Sequence, residues 1–301
     1  MLASLEGAVI AAILVLTAMG LSIVFGVMRV VNVAHGEFFM LGAVIAWSVS
    51  ISIGGHPALG FIAALIFAPL IVGIIAATAD AVILKQIKYD PDRTIVATIG
   101  LLYIFQQGTL MTFGPDARPV EAPFNHRLAL PWFEFGQSGP QLFWPWGLST
   151  TSYKLFVIAA AIFTLLALWA LITQTKIGLI MRATQQDSDM AQAFGIPVGR
   201  VYSLVFGLGA ALAALGAVLV VPIQQAHYLM GGDPLLLAFI VVIIGGLGSL
   251  PGTVLAAILI GMSDGIISVF FSPTVAKIIA TLFVTMVLIW RPQGLFGKTT
   301  Q

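Results

Sequence analysis

Nine stretches of the chain are apolar over most of their length: Gly7–Val27, Val33–Ile53, Ala58–Leu84, Thr94–Phe113, Leu155–Ile172, Val201–Val221, Leu235–Ile244, Thr253–Phe271 and Val275–Trp290. A helix that crosses the hydrocarbon layer needs about 20 such residues, and all but Leu235–Ile244 approach or exceed that length. Inside lipid each backbone N–H and C=O must find its partner within the protein, so runs of this kind have to be helical. The chain is 59% hydrophobic and 8% charged over 301 residues, with a mean hydropathy of +1.07, where soluble domains carry roughly 25% charged residues. The expected fold is an all-α polytopic membrane protein of eight or nine transmembrane helices, the count depending on whether Leu235–Ile244 crosses or dips and returns. We expect residues 1–301 to form a single transmembrane domain. MLASLEG at the N-terminus lacks the basic region of a cleaved signal, so the first run is expected to be retained as a span.

Positive charge orients the runs. Lys85, Lys88 and Arg93, then Lys176, Arg182 and Arg200, then Arg291 and Lys298 sit in short connectors, which the positive-inside rule assigns to the cytoplasm. The C-terminus is then cytoplasmic, and nine crossings leave the N-terminus, with its single charge Glu6, outside. The long connector of residues 114–152 falls outside as well. Its six prolines and Trp132, Trp144 and Trp146 suit either an aromatic belt at the headgroups or a landing surface for an external protein. In Val201–Val221, Gly207/Ala211 and Ala213/Ala217 have the small-xxx-small spacing that lets helix backbones approach closely.

Two glycine-containing segments break the apolar runs: Arg29-Val-Val-Asn-Val-Ala-His-Gly-Glu37 and Gly245-Gly-Leu-Gly-Ser-Leu-Pro-Gly252. Asn32 can cap a helix beginning at Val33, and Ser249 and Pro251 fit the first turn of a helix running through Thr253. Each break thereby presents a helix N-terminus, whose unpaired N–H groups and positive dipole end can receive a carboxylate. Asn32, His35, Gly36, Glu37, Gly246, Gly248 and Ser249 are the candidate substrate-pathway residues. The same breaks read equally as ordinary cytoplasmic turns. Arg29, His35 and Glu37, like Asp80, Asp264, Gln106 and Gln107, are costly against lipid and should face a turn, a partner or a cavity.

Several chemistries are excluded. No GxxxxGK[ST] is present, so the chain does not cradle a nucleotide. His35, His56, His126 and His227 never form HExxH, and Gly246-Leu-Gly-Ser249 is not GxSxG. With no cysteine there is no disulfide or thiol nucleophile. A net charge of +1, with the basic residues scattered over connectors, gives no nucleic-acid footprint. No enzymatic role, cofactor or metal is expected.

Between the fifth and sixth runs lies a polar island, residues 175–200. A helical stretch from about Ile177 to Thr184 gives way to another from about Ser188 to Phe194, with Asp187 as N-cap and Gly195 and Pro197 as the stop. Met190, Ala191 and Phe194 form a small apolar face suited to a groove in another protein or to the membrane surface.

The string Gly178-Leu-Ile-Met-Arg-Ala-Thr-Gln-Gln-Asp187, followed by Met190-Ala191, Phe194-Gly-Ile196 and Arg200-Val201, resembles the cytoplasmic loop of permeases in ABC importers of the branched-chain amino-acid (Liv) type. Gly20-Leu21, Val31-Asn-Val-Ala-His-Gly-Glu37 and Leu41-Gly42 resemble that family's N-terminal signature. Gly245-Gly-Leu-Gly-Ser-Leu-Pro-Gly252 and Pro292-Gln-Gly-Leu-Phe-Gly297 resemble its C-terminal motifs. The resemblance implies a permease subunit in a bacterial-type inner membrane that moves branched-chain amino acids or related small polar solutes inward. It would pair with a second homologous permease subunit, two cytoplasmic ATPase subunits and an external solute-binding protein. The polar island would be the coupling helix, with Gly178, Arg182, Asp187, Ala191, Gly195 and Ile196 as coupling residues and Phe194 as the apolar plug. Lys85–Arg93 and His227-Tyr228 depart from the family pattern. A urea or amide permease, or a self-sufficient ion-coupled transporter using His35, Glu37 or Asp80, are the alternatives.

Overall fold

The computed structural model describes residues 2–129, 132–136, 139–143 and 149–271, together with 275, 278, 279, 282, 286 and 294–296. The expected span Val275–Trp290 and the aromatic residues Trp144 and Trp146 lie outside the described residues, save for single positions of the span. The helices are α1 (Leu2–Met28), α2 (His35–Ser52), α3 (Pro57–Ala79, continued by a π-helical turn Asp80–Leu84), α4 (Pro91–Phe113), α5 (Ser152–Gln174), α6 (Lys176–Gln186), α7 (Ser188–Ala193), α8 (Val198–Val220), α9 (Gly232–Gly245) and α10 (Leu250–Phe270). Six of them among the described residues are long and apolar enough to cross a membrane.

Local chemistry sets the ends. Pro57 and Pro91 open α3 and α4 at the position where a missing N–H costs nothing. Asp90 caps α4 by accepting from the Arg93 N–H at 3.0 Å; Ser249, as the sequence predicts, caps α10 by accepting from the Gly252 N–H at 3.3 Å.

Helix α8 is the central post. Gly207 packs against Gly73 of α3, Gly209 against Gly20 of α1, and Ala214 against Gly42 of α2, so the small residues of α8 serve neighbours in the same chain. Their lack of bulk lets three helices reach its backbone. Along α1, Gly7 meets Met262, Ala11 meets Gly261, and Ser22 accepts from the Thr253 hydroxyl at 2.9 Å; α10 therefore runs antiparallel to α1. Gly20 opposite Gly209 and Thr17 opposite Gly216 make α8 antiparallel to α1 too. Tyr153 of α5 donates to the Leu219 carbonyl at 2.8 Å, and Lys154 pairs with Glu6, so α5 lies parallel to α1. Large apolar side chains stay exposed on the outer helices, Ile66 at 60% and Phe163 at 73% among them. In water such faces would be an association site; in a bilayer they meet lipid.

One end of the helix layer carries α6 and α7. The other carries the connector between α4 and α5, in which four short strands form nested antiparallel pairs. Strand β1 (Arg127–Ala129) pairs with β4 (Ser149–Thr151), and β2 (Trp132–Gly136) with β3 (Gly139–Phe143). The helical class stands, with these strands added.

Candidate functional site

The first break does not carry its helix where the sequence suggested. Helix α2 begins at His35, with Ala34 in the N-cap position and no side-chain cap. Asn32, 1% exposed, instead accepts from the Ala34 N–H at 3.1 Å, closing a tight turn. The reason is that residues 29–34 are drawn back along α1 as an irregular leg. Val33 donates to the Thr98 hydroxyl of α4 at 3.2 Å, and the His35 ring bonds through Nε2 to the Thr17 carbonyl at 2.9 Å. Thr17 lies eleven residues before Met28, roughly 16 Å up the α1 axis. Helix α2 thus starts deep in the layer and runs toward the strand end. Phe38 tilted against Phe105 and Trp47 edge-on to Phe113 keep it parallel to α4.

A second short helix starts at the same depth. Gly231 and Gly232 open α9, and Gly231 packs against the Gly36 backbone so closely that a Cβ on either glycine would strike the other's carbonyl oxygen. From that crossing α2 runs one way and α9 the other, down to Gly245 beside Gly252 and Thr253. Two helix N-termini therefore converge at one depth, where their dipoles add positive potential. Around them His35 is fully buried and Glu37 is 3% exposed, with His35 Nδ1 and Glu37 Oε2 lacking hydrogen-bond partners among the described residues. An unmet buried polar atom costs about 1–3 kcal/mol. The sequence reading missed Gly231; its signal was the doublet Gly231-Gly232 ahead of Pro234 and an apolar run too short to cross alone.

The second break lies elsewhere. Gly246 and Gly248, at φ of 99° and 77°, and Ser249 turn the chain from α9 into α10 at the α6–α7 end. The structure thus divides the predicted pathway set: Asn32, His35, Gly36 and Glu37 are deep, whereas Gly246, Gly248 and Ser249 are at the end of the layer. There Gly248 packs on Gly26 of α1, with Gln185 Nε2 beside both, and Arg182 lines the same cleft. The backbone of residues 294–296 also comes in here, Leu295 and Phe296 donating to the Ile244 and Gly245 carbonyls at 2.7 and 3.2 Å. That contact satisfies the end of α9.

The polar island folds as the sequence predicts in outline. Thr175 caps α6 through the Gly178 N–H at 3.1 Å, and Asp187 caps α7 by accepting from the Asp189 and Met190 N–H groups, both at 3.0 Å. Gly195 at φ 85° ends α7, and Ile196 donates back to the Ala191 carbonyl at 3.0 Å. Gly178 is pressed on the Leu171 and Ile172 carbonyls of α5. One detail differs: Ala191 is 5% exposed and faces the protein, while Met190 and Phe194, at 54% and 81%, face away. A six-residue helix cannot present adjacent positions 190 and 191 on one face when one of them is drawn against the spans.

Asp80, fully buried, accepts from the Ser203 hydroxyl at 2.6 Å and the Tyr89 hydroxyl at 3.4 Å, which ties α3, α8 and the α3–α4 connector. Burial, reinforced by the Asp80 carboxylate, pushes the Tyr89 hydroxyl above its ordinary value. At the strand end, Arg118 and Ala226 exchange backbone bonds of 2.7 and 2.9 Å, and the Arg118 guanidinium stands 5.1 Å over Trp47. No group of three metal-binding side chains occurs among the described residues.

Residues 4–290 match the model of the family described as branched-chain amino acid transport system / permease component. The chain is 26% identical over 294 residues to the high-affinity branched-chain amino acid transport system permease protein BraD of Pseudomonas aeruginosa, covering 94% of this chain and 91% of that one. It is 25% identical over 292 residues to LivH of Escherichia coli, with the same coverage. To the probable branched-chain amino acid transport permease protein LivH of Methanocaldococcus jannaschii it is 26% identical over 302 residues, covering 97% of this chain and 91% of that one. A multi-pass membrane protein with a transport rather than an enzymatic role, the chain belongs to the family of branched-chain amino acid transport permease components.

Proposed function

We propose that the chain is the permease subunit of an ABC importer that carries branched-chain amino acids, or closely related small polar solutes, into the cytoplasm. It pairs with a second homologous permease subunit, an external solute-binding protein delivers the solute, and two cytoplasmic ATPase subunits supply the work. Residues 1–301 act as one permease domain, with 175–200 as the cytoplasmic coupling loop and 114–152 outside. In this reading α1 runs inward, and residues 29–34 with α2 return outward. The antiparallel registers account for eight crossings as far as α10, and the apolar run Val275–Trp290 is taken as a ninth that leaves the C-terminus cytoplasmic. The segment 221–230 with α9 counts as one crossing, half irregular and half helical.

Asn32, His35, Gly36 and Glu37, at the convergence of α2 and α9, form the mid-membrane part of the pathway, where two positive dipole ends suit a carboxylate. Irregular backbone at membrane depth is tolerated where it is buried in protein or lines a cavity. The observation that carries the proposal is the contact of Gln185 with Gly26 and Gly248. It joins the polar segment directly to the α1 and α10 ends, so displacement of α6–α7 by an ATPase pulls on spans that reach the deep crossing. Gly246, Gly248 and Ser249 are then transmission elements together with Gly178, Arg182, Asp187, Ala191, Gly195 and Ile196, while Phe194 inserts into the ATPase.

Purification from native membranes in mild detergent tests this. An ATPase subunit is expected to accompany the chain, and ATP with the binding protein is expected to drive uptake in proteoliposomes. Full uptake by the isolated chain would sink the proposal.

A further inference from the structure

At the α6–α7 end, separate from the deep crossing, lies a polar cavity of about 470 Å³, a size that holds a small metabolite. Four elements wall it: the end of α1 with Val27, Met28 and Arg29, the α3–α4 connector with Lys88 and Tyr89, α6–α7 with residues 184–189, and Tyr202 at the start of α8. Among the described residues, the non-glycine positions with left-handed backbone are Arg29, Lys88 and Tyr89, at φ of 55°, 56° and 56°, and all three line this cavity. Such a conformation costs about 1–2 kcal/mol per residue, and strain of this kind collects at ligand clamps and switches. Thr184, 2% exposed, also lines it, and its hydroxyl has no hydrogen-bond partner among the described residues.

The chemistry of the walls selects a ligand. Arg29 and Lys88 offer cationic donors for a carboxylate, and Asp187 and Asp189 offer acceptors for an ammonium. The two signs balance, which disfavours a simple anion or cation. Val27, Met28 and the Tyr202 ring supply an apolar surface for a short aliphatic side chain. We propose that this cavity binds a zwitterionic α-amino acid with an aliphatic side chain from the cytoplasmic side, and that occupancy slows transport. Naming the ligand rests on the transport reading above; the cavity and its charge pattern do not. A bound zwitterion bridges α1, the α3–α4 connector and α6–α7, stabilising the arrangement it binds against any that separates those elements. Accumulated product would thereby restrain its own import.

The test uses the complete importer in proteoliposomes, with binding protein and ATP in place and L-leucine added on the ATPase side. Uptake is expected to fall as leucine on that side rises, and isocaproate, lacking the ammonium, or isoamylamine, lacking the carboxylate, should not replace it. Arg29→Gln and Lys88→Gln should keep uptake when the ATPase side is empty of amino acid, yet require about tenfold more leucine for the same inhibition; Thr184→Val should act in the same direction. Equilibrium dialysis of radiolabelled leucine against the complex in nanodiscs, without binding protein, gives a second readout. Inhibition or binding unchanged by Arg29→Gln and Lys88→Gln, or matched by isocaproate, would overturn the proposal, as would no binding at all. If leucine is bound in a charge-dependent way but never transported, the transport reading fails and this site stands.

Discussion

Gly36 and Gly231 cross backbone to backbone, and the two helices that start there, α2 and α9, run in opposite directions from one point in the layer. At Gly231 no side chain can yield, because the atoms a new Cβ meets are main-chain atoms of Gly36 and Glu37. Overpacking of this kind costs about 1–3 kcal/mol. Gly231→Ala is therefore expected to lower the melting temperature of the detergent-solubilised protein and to reduce solute uptake. Gly232→Ala, one residue on, meets nothing within 4 Å and should leave both unchanged. Equal behaviour of the two variants in a thermal-shift assay would count against a tight crossing.

Phe194 is 81% exposed at the end of α7, although it is one of the larger apolar side chains in the chain. Under the proposed function this exposed aromatic, on a capped and anchored helix, is the contact for the ATPase. Phe194→Asp should leave membrane insertion and thermal stability as they are while cutting ATP-driven uptake by at least about tenfold, a loss of about 1.4 kcal/mol of coupling. Retention of the ATPase subunit on affinity resin reports the same contact without any transport. Full retention and full uptake by the variant would remove Phe194 from the interface.

Much of this was legible in the chain. Apolar runs gave the long helices to within a few residues, and Asp187, Ser249 and Gly195 announced two caps and a stop through side-chain chemistry that is local. The deep crossing was not. Asn32 reads as a helix cap by type, and only the pull of Thr98 on Val33 and of Thr17 on His35 shows that the helix begins later. Depth is absent from a pattern in which lipid-facing and buried faces are equally apolar, so the glycines at 36 and 231 could not be paired by periodicity. Ala191 was misassigned for a related reason: a one-turn helix takes its orientation from what it packs on.

Tyr89 gives a prediction in pH. Its hydroxyl is raised in the folded protein by burial and then by the Asp80 carboxylate, so the folded state holds its proton more tightly than the unfolded chain. That contribution is complete below the unfolded value of about 10 and is lost as pH climbs through and beyond it. Melting temperature should be flat from neutral to mildly alkaline pH and then decline, and Tyr89→Phe should make the decline shallower. An identical alkaline slope in the variant would show that Tyr89 does not carry the effect.

Two glycines of the polar segment are required for different reasons, and substitution can tell them apart. Gly178 has ordinary helical backbone but sits against the Leu171 and Ile172 carbonyls, whereas Gly195 stands in open space at φ 85°. Asparagine tolerates the left-handed region better than other residues with a Cβ, so Gly195→Asn should retain most uptake while Gly195→Val loses it. Gly178 has no such rescue, since any Cβ meets the same carbonyls; Gly178→Ala and Gly178→Asn should both separate α6 from α5 and uncouple transport. Hydrogen exchange of the α6 amides would register the separation directly, rising in both Gly178 variants and not in Gly195→Asn. If Gly178→Ala left exchange and uptake unchanged, the α5–α6 joint would not be a rigid link to the spans beside the one that Gln185 makes with Gly26 and Gly248.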